Sequence, residues 1–286
     1  MIGLLGASGY VGSEFKKQLI SRDLEFVELS RETHDYYHVP NLITALEATN
    51  VDLLINCAGY TGKPNVDAVE DNKDVAYKAN VDLARNIANV CYLGQIKLVH
   101  ISSGCIYEGD NGGKGYKESD PPNFTFETGS YYSGTKALAE TLVSSILPSA
   151  YICRLRIPFN SNDNERNYLT KLIKYDKLLK AANSISHLGD FVDCCINLFF
   201  HELPSGTYNI VNTGTVTTEY VAEKIKALLN LDKNFKYFSD DEEFYKIGAR
   251  APRSNCVLDN SKLLSTGITI RTTEEALTDS LENWHK

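Results

Sequence analysis

Strand-sized apolar runs alternate with helical stretches through most of this chain, and that alternation leaves few folds open. The runs are Ile2–Leu5, Phe26–Leu29, Leu53–Ile55, Leu98–Ile101, Tyr151–Leu155 and Tyr208–Val211. None shows the in-and-out pattern of a half-exposed strand, so each is expected to be buried on both faces, as parallel strands are. Between them Val75, Ala79, Leu83, Ile87 and Val90 recur at spacings of three and four, the stripe of an amphipathic helix. Alternating strands and helices predict an α/β fold, a doubly wound parallel sheet covered by helices on both faces.

Composition narrows the class further. A chain of 286 residues, 43% hydrophobic, buries enough surface to fold without disulfide or metal staples. A net charge of −8 with no Lys/Arg block speaks against a nucleic-acid partner, whose phosphates are met by clustered cations. No apolar stretch approaches the roughly 20 residues of a membrane span, and no cationic leader precedes Ile2, so neither membrane insertion nor secretion is expected. The seven cysteines include no C-x-x-C pair and are odd in number. They fit neither a disulfide framework nor a zinc knuckle, and point to a reducing cytoplasm. His34 and His38 stand four apart, but Asp35-Tyr36-Tyr37 between them reads as loop, so no metal site is expected.

Gly6, Gly9 and Gly12 follow the first apolar run at G-x-x-G-x-x-G spacing and lead into the helical run Ser13–Ile20. Glycine permits positive φ and brings helix N-terminal amides against a pyrophosphate, although a plain strand-to-helix turn also needs small residues. Its position after the first strand favours a dinucleotide and a Rossmann-type sheet, with Gly6, Ser8, Gly9, Tyr10, Val11 and Gly12 as cofactor contacts. The second strand, Glu25-Phe26-Val27-Glu28-Leu29, is followed by Ser30-Arg31. A hydroxyl and a guanidinium there suit the 2′-phosphate of NADPH. Glu28 lies two residues early for the ribose ligand of an NAD binder, and a solvated loop charge is the plainer account of Arg31. Residues 158–167 and 239–256 are polar and turn-rich. The expected division is a dinucleotide-binding domain at 1–157, with 186–214 returning to the sheet, and a smaller C-terminal substrate-binding lobe at 158–185 and 215–286.

Tyr132 and Lys136 stand four apart, on one face of a helix, where the lysine can tune the phenol and the phenol can pass a proton to a carbonyl oxygen. Tyr220 and Lys224 share the spacing, so context must separate the pairs. Ser103 ends the run Leu98–Ile101 plus two residues, at the strand end where open α/β sheets bind ligands, and there it can hold the same carbonyl. Tyr220/Lys224 has no such companion and reads as an ordinary helix pair. Cys105 lies two residues past Ser103. As a thiolate it is a competent base, and as a buried thiol it is packing.

With these residues the sequence resembles the extended short-chain dehydrogenase/reductase family over nearly its whole length. Gly6, Gly9 and Gly12 match the cofactor loop, Asn56-Cys57-Ala58-Gly59 a later strand turn, Asn80 a mid-helix asparagine, and Ser103, Tyr132 and Lys136 the family triad. Within the family it is similar to the bifunctional epimerase/reductases that make UDP-L-rhamnose from UDP-4-keto-6-deoxyglucose, on Gly104-Cys105-Ile106-Tyr107-Glu108, Gly115-Tyr116-Lys117-Glu118, Pro122-Asn123-Phe124-Thr125, Tyr131–Lys136 and Ala251-Pro252-Arg253-Ser254-Asn255. The resemblance implies NADPH as cofactor, with Cys57, Ala58 and Gly59 beside it, a UDP-sugar substrate, and Cys105 and Lys171 as epimerisation acid and base. Lys171 is otherwise one of several lysines on a basic helix, since Lys174, Lys177 and Lys180 follow. Thr61, Lys63 and Asn65 are expected on the substrate side, and Asn160 and Arg253 are candidates for its diphosphate. Relatives commonly form homodimers through the Tyr/Lys helix. Plant relatives fuse this unit to a dehydratase, so a separate 4,6-dehydratase is expected to supply the substrate. Two other readings stay open: a monofunctional reductase similar to dTDP-4-dehydrorhamnose reductases, and a non-catalytic regulatory subunit on the same fold.

Overall fold

In the computed structural model, which describes residues 1–32 and 35–285, the chain opens with β1 (Ile2–Leu5), α1 (Tyr10–Ser21), β2 (Phe26–Leu29), α2 (Val39–Ala48) and β3 (Leu53–Asn56). Two short helices, α3 (Asp67–Glu70) and α4 (Lys73–Tyr77), lead through a π turn at Lys78–Asp82 into α5 (Leu83–Gly94), followed by β4 (Lys97–Ser103), α6 (Tyr131–Ile146) and β5 (Tyr151–Leu155). Then come β6 (Pro158–Phe159), α7 (Tyr168–Lys174), β7 (Lys177–Leu178), β8 (Ala182–Asn183), β9 (Ser186–His187), α8 (Leu188–Phe200) and β10 (Gly206–Asn209). The remainder is β11 (Val216–Thr217), α9 (Thr218–Leu228), β12 (Lys236–Tyr237), α10 (Asp241–Ile247), α11 (Ser261–Ser265) and α12 (Thr273–Glu282). His34 lies outside the described residues.

Six strands form one parallel sheet in the order β10-β5-β4-β3-β1-β2. β1 pairs β2 on one side and β3 on the other, so the winding reverses between β1 and β3 and opens a crevice at their carboxyl ends. Helices cover both faces, as the uninterrupted apolar runs require. Phe15 and Leu19 of α1 pack with Phe191 and Val192 of α8 on one face, whereas Leu42 of α2, Ile87 of α5 and Val143 of α6 pack on the other. Fully burying side chains of this kind stabilises the fold by about 1.5–3 kcal/mol each. A third cluster, including Leu169, Val221, Ile225 and Leu277, gathers α7, α9 and α12 away from the sheet.

Three local expectations shift. The last sheet strand is Gly206–Asn209, not Tyr208–Val211, because Ile210 and Val211 stay buried but run past the ladder. The helical stripe from Val75 to Val90 is broken by the π turn, which drives Asn80 into the interior. The tract at 239–256 holds α10, none of whose residues is buried. No helix among the described residues is long and apolar enough to cross a membrane.

The start of α8 is fastened to the segment before α12 by Asp190. Its carboxylate accepts from Arg271 Nε at 3.0 Å and from Asn212 Nδ2 at 2.7 Å, with His187 Nδ1 3.1 Å away. Burial alone would raise this carboxyl, but hydrogen bonds from His187 and Arg271 outweigh it and bring it down to about 2. A depressed folded-state value stabilises above the ordinary 3.8 and is lost as pH falls toward 2. Asp190→Asn is therefore expected to lower stability at pH 7 and flatten its decline between about pH 4 and 2. Urea midpoints measured across that window check this, and parallel curves for both proteins would refute it.

Candidate active site

The crevice begins at the glycine turn. Gly6 has φ of +77°, and a side chain there would stand 2.8 Å from the Ala58 nitrogen, so the turn and the next strand end approach as only glycine allows. A Cβ on Gly12 would lie 2.1 Å from the Gly6 oxygen. Gly9 occupies the N-cap of α1 with no side-chain cap, and its own N–H donates to Gly6 at 3.0 Å. The first-turn amides of a 12-residue helix thus face the crevice without a competing side chain, the arrangement that suits a pyrophosphate. Ser8 is exposed beside them, Val11 packs on the core, and the buried Tyr10 hydroxyl has no hydrogen-bond partner among the described residues. Across the crevice Cys57, Ala58 and Gly59 follow β3, held where Cys57 N–H donates to Leu5 at 3.0 Å and Ala58 N–H to Asn56 Oδ1 at 3.0 Å. Asn80 accepts from Tyr60 N–H at 2.7 Å and donates to Thr135 of α6 at 3.1 Å, which ties this loop to the helix of Tyr132.

At the end of β2, Glu28 is turned away, its carboxylate 2.6 Å from Lys16 of α1. Ser30 and Arg31 follow the strand, with Arg31 exposed and its charge felt by Tyr36 and Tyr37. Glu28, the acidic residue of the strand itself, is thus engaged by Lys16.

Ser103, Cys105, Tyr132 and Lys136 meet where β4 ends against α6. A 3-10 turn at Gly104–Ile106 folds back so that Ser103 Oγ accepts from Cys105 N–H at 3.3 Å. Ser130 caps α6 by accepting from Ser133 N–H at 3.1 Å. Burial raises the Tyr132 phenol and the neighbouring Cys105 raises it further, whereas a hydrogen bond with Ser103 and the charge of Arg166 act the other way. Lys136 donates to the Ile101 carbonyl at 2.9 Å, and burial lowers its value. One of the three Lys136 N–H donors is thus used on the Ile101 carbonyl, and a cation acting on the phenol is Arg166. Cys105 lies beside them. Burial pushes its thiol up, with Ser103, Ser133 and Arg156 only partly opposing, which favours the thiol of the two forms the sequence left open.

Lys171 stands apart from the lysines that follow it. Lys174 pairs with Asp163 at 3.1 Å, Lys177 pairs with Glu243, and Lys180 lies 3.6 Å from Glu219. Lys171 has no ion-pair partner among the described residues. Burial, and then Arg166 and Arg253, hold its ammonium below the ordinary lysine value. The substrate-side candidates are more occupied than expected. Arg253 grips Asp67 with Nη1 at 2.8 Å and Nη2 at 2.9 Å, and Asn160 Oδ1 accepts from Asn162 N–H at 3.1 Å and Asn167 Nδ2 at 3.0 Å. Arg253 is thus paired with Asp67, whereas Asn160 is engaged through its acceptor oxygen. Thr61 accepts from Arg166 at 3.0 Å, Asn65 Oδ1 accepts from Asp67 N–H at 2.8 Å, and Lys63 is exposed.

Sequence reasoning missed Arg166, Glu140 and Arg154. Arg154 interrupts the buried strand Tyr151–Leu155, and Glu140 sits four residues beyond Lys136 on the same helix. A charge in each of two apolar contexts was the available signal. Tyr220 and Lys224 sit on α9, where both meet Glu274, far from this constellation in role.

Such a fold, with a glycine-turn crevice beside a Ser, Tyr and Lys cluster, is the framework of a dinucleotide-dependent oxidoreductase. The chain matches the family described as RmlD substrate binding domain over residues 1–285 and belongs to it. Among curated proteins, the bifunctional dTDP-4-dehydrorhamnose 3,5-epimerase/dTDP-4-dehydrorhamnose reductase of Arabidopsis thaliana is 30% identical over 266 residues, covering 91% of this chain and 85% of the relative. A trifunctional UDP-glucose 4,6-dehydratase/UDP-4-keto-6-deoxy-D-glucose 3,5-epimerase/UDP-4-keto-L-rhamnose-reductase of the same plant is also 30% identical over 91% of this chain, which spans only 38% of that protein. The fold is shared with the UDP-rhamnose synthase of Acanthamoeba polyphaga mimivirus, at a TM-score of 0.90, 23% identity and 99% coverage of both chains. It is also shared with the dTDP-4-dehydrorhamnose reductase of Bacillus anthracis in complex with NADP, at a TM-score of 0.84, 23% identity and coverage of 99% and 97%. The names of these relatives all point to rhamnose, and three of the four name a reductase.

Proposed function

We propose that this chain carries out NADPH-dependent 3,5-epimerisation and 4-keto reduction of UDP-4-keto-6-deoxy-D-glucose, giving UDP-L-rhamnose. The observation that carries the reading is Lys171, a partly buried amine without an ion-pair partner among the described residues, in the field of the same Arg166 that acts on Tyr132. Gly6, Gly9, Gly12 and the uncapped start of α1 fit the cofactor pyrophosphate, and Ser30 and Arg31, with Glu28 drawn off by Lys16, fit a 2′-phosphate. Bound there, NADPH supplies the hydride that reduces carbon 4.

The chain's own groups do the rest. Ser103 donates to the ketone oxygen and makes the hydrogens on carbons 3 and 5 acidic. Lys171, whose ammonium is disfavoured, takes the proton from carbon as a neutral amine, leaving an enolate. Cys105, kept as a thiol by burial, returns a proton to the opposite face. Exchange with solvent resets both groups before the second centre inverts. Tyr132 then gives its proton to the carbon-4 oxygen as the hydride arrives. The keto sugar is itself the product of a 4,6-dehydratase, an activity that the trifunctional relatives name in their own chains. The seven cysteines, all free thiols, suit a reducing compartment.

A second reading, a reductase without epimerase activity, draws on the 8% exposure of Cys105, which is that of a packing residue. Incubation with UDP-4-keto-6-deoxyglucose in deuterated water, without NADPH, separates the two. Solvent deuterium at carbons 3 and 5, read by NMR, is expected, and its absence would leave only the reductase. Cys105→Ala is expected to slow that exchange by about 10²-fold or more while NADPH oxidation with a pre-epimerised ketone continues. The dTDP-linked sugar, run beside the UDP-linked one, reports nucleotide preference.

A further inference from the structure

Arg166 stands immediately before the N-cap of α7 and reaches across to a turn about a hundred residues earlier. Its Nη1 donates to Thr61 Oγ1 at 3.0 Å and its Nη2 to the Gly62 carbonyl at 2.8 Å. A planar guanidinium offers such a fork and an ammonium does not. The backbone behind it is fixed. Asn164 Oδ1 accepts from Arg166 N–H at 2.8 Å, and the fully buried Asn167 donates to the Asn160 carbonyl at 2.8 Å and the Asn162 carbonyl at 2.7 Å while capping α7 at Leu169 N–H, 3.0 Å away. The carboxylate beside Arg166 is that of Glu165, 3.9 Å away and 70% exposed, so solvent screens the pair and the guanidinium keeps most of its field.

We propose that Arg166 is a positioning residue that pins the Thr61–Gly62 turn to the start of the helix carrying Lys171, and so sets how Lys171 and Tyr132 face one substrate. This deepens the function proposed above and rests on it. The fork joins two segments about a hundred residues apart, and it does so with neutral acceptors, which leave the cation uncancelled. Lys171 faces Arg166 and Glu165 from the preceding loop and Arg253 from the segment after α10; after burial, the two guanidiniums are what disfavour its ammonium. Tyr132 faces Ser103 at the end of β4, Cys105 from the turn after it, and Arg166. One side chain therefore bears on an epimerisation group and on the reduction acid together.

The test separates fork from charge. Lys171 is labelled with acetic anhydride across a pH series and its peptide is followed by mass spectrometry, which needs no turnover. In R166Q the half-labelling pH is expected to rise by about one unit toward the ordinary lysine value. In R166K the charge remains, so the labelling curve stays that of the wild type. Its solvent-exchange kcat at carbons 3 and 5 is expected to fall about tenfold to a hundredfold with an unchanged pH optimum, because the fork is lost. Coincident labelling curves for wild type and R166Q, or wild-type exchange by R166K, would overturn the proposal. A role in stability alone would lower the melting temperature and leave the labelling curve in place. Should the wild type exchange no deuterium, the epimerase reading fails by itself; the R166K fall is then read in NADPH oxidation with the pre-epimerised ketone, because the fork also holds the cation that acts on Tyr132.

Discussion

Tyr132→Phe is expected to lower keto reduction by about 10²–10⁴-fold while leaving deuterium exchange at carbons 3 and 5 largely in place. The phenol is the group placed to protonate the carbon-4 oxygen, and the change removes one oxygen atom from a buried site without disturbing the ring packing. Exchange draws on Cys105, Lys171 and the polarising hydroxyl of Ser103, none of which needs the Tyr132 proton. The loss should fall on kcat with KM little changed, as expected for a group that acts in the transition state. The pH profile carries a sign as well. Burial and Cys105 raise the Tyr132 phenol above its ordinary 10.0. The acid form therefore persists through the alkaline range, and no loss of reduction traceable to this group is expected below about pH 10. Stopped-flow NADPH oxidation and an NMR exchange assay on the same preparation measure the two activities. Equal losses in both would show that Tyr132 serves the whole pocket and would remove the separation of roles.

Much of the crevice was legible because backbone geometry restricts residue type. Gly6 must adopt positive φ, and Gly12 must let α1 approach the turn, so the glycine spacing announced both the first β-to-α connection and the cofactor end. The meeting of Ser103 with Tyr132 followed from a strand end and a helix face, both periodic features. What stayed hidden depends on long-range pairing. Arg166 reaches Thr61, and Arg253 reaches Asp67, across spans that no local pattern encodes. Asn80 was noticeable as a residue but not as a π-turn brace, since a stripe at spacings of three and four reads the same whether or not one turn is widened. The protonation states were the least legible. Cys105 in the sequence is equally a thiolate base or a packing thiol, and only its burial, at 8% exposure, favours the protonated form.

Glu140→Ala is expected to cost about 3–5 kcal/mol of stability, more than a surface substitution would by an order of magnitude. Glu140 lies on α6, two turns beyond Tyr132, and its carboxylate accepts from Ser102 Oγ at 2.5 Å and from Arg154 Nε and Nη2 at 3.1 and 2.8 Å. The two charged side chains are only 8% and 4% exposed. Removing the acid leaves a guanidinium with Asn209 Oδ1 at 3.4 Å and the Tyr107 ring at 5.2 Å, partners too weak to replace a bidentate carboxylate. In a chain of 286 residues the loss corresponds to a melting temperature about five to eight degrees lower. Because the same carboxylate ties α6 to β4 next to Ser103, the folded fraction should also hold Tyr132 and Ser103 less tightly, and kcat should fall beyond what the unfolded fraction explains. Replacing both partners, Glu140→Leu with Arg154→Met, removes the orphaned charge and is expected to restore much of the stability without restoring kcat. Melting and turnover of the two variants therefore separate the cost of a buried charge from the contribution of its placement. A Glu140→Ala protein that melts with the wild type would show that Arg154 finds water or another partner, and that α6 is held by packing alone.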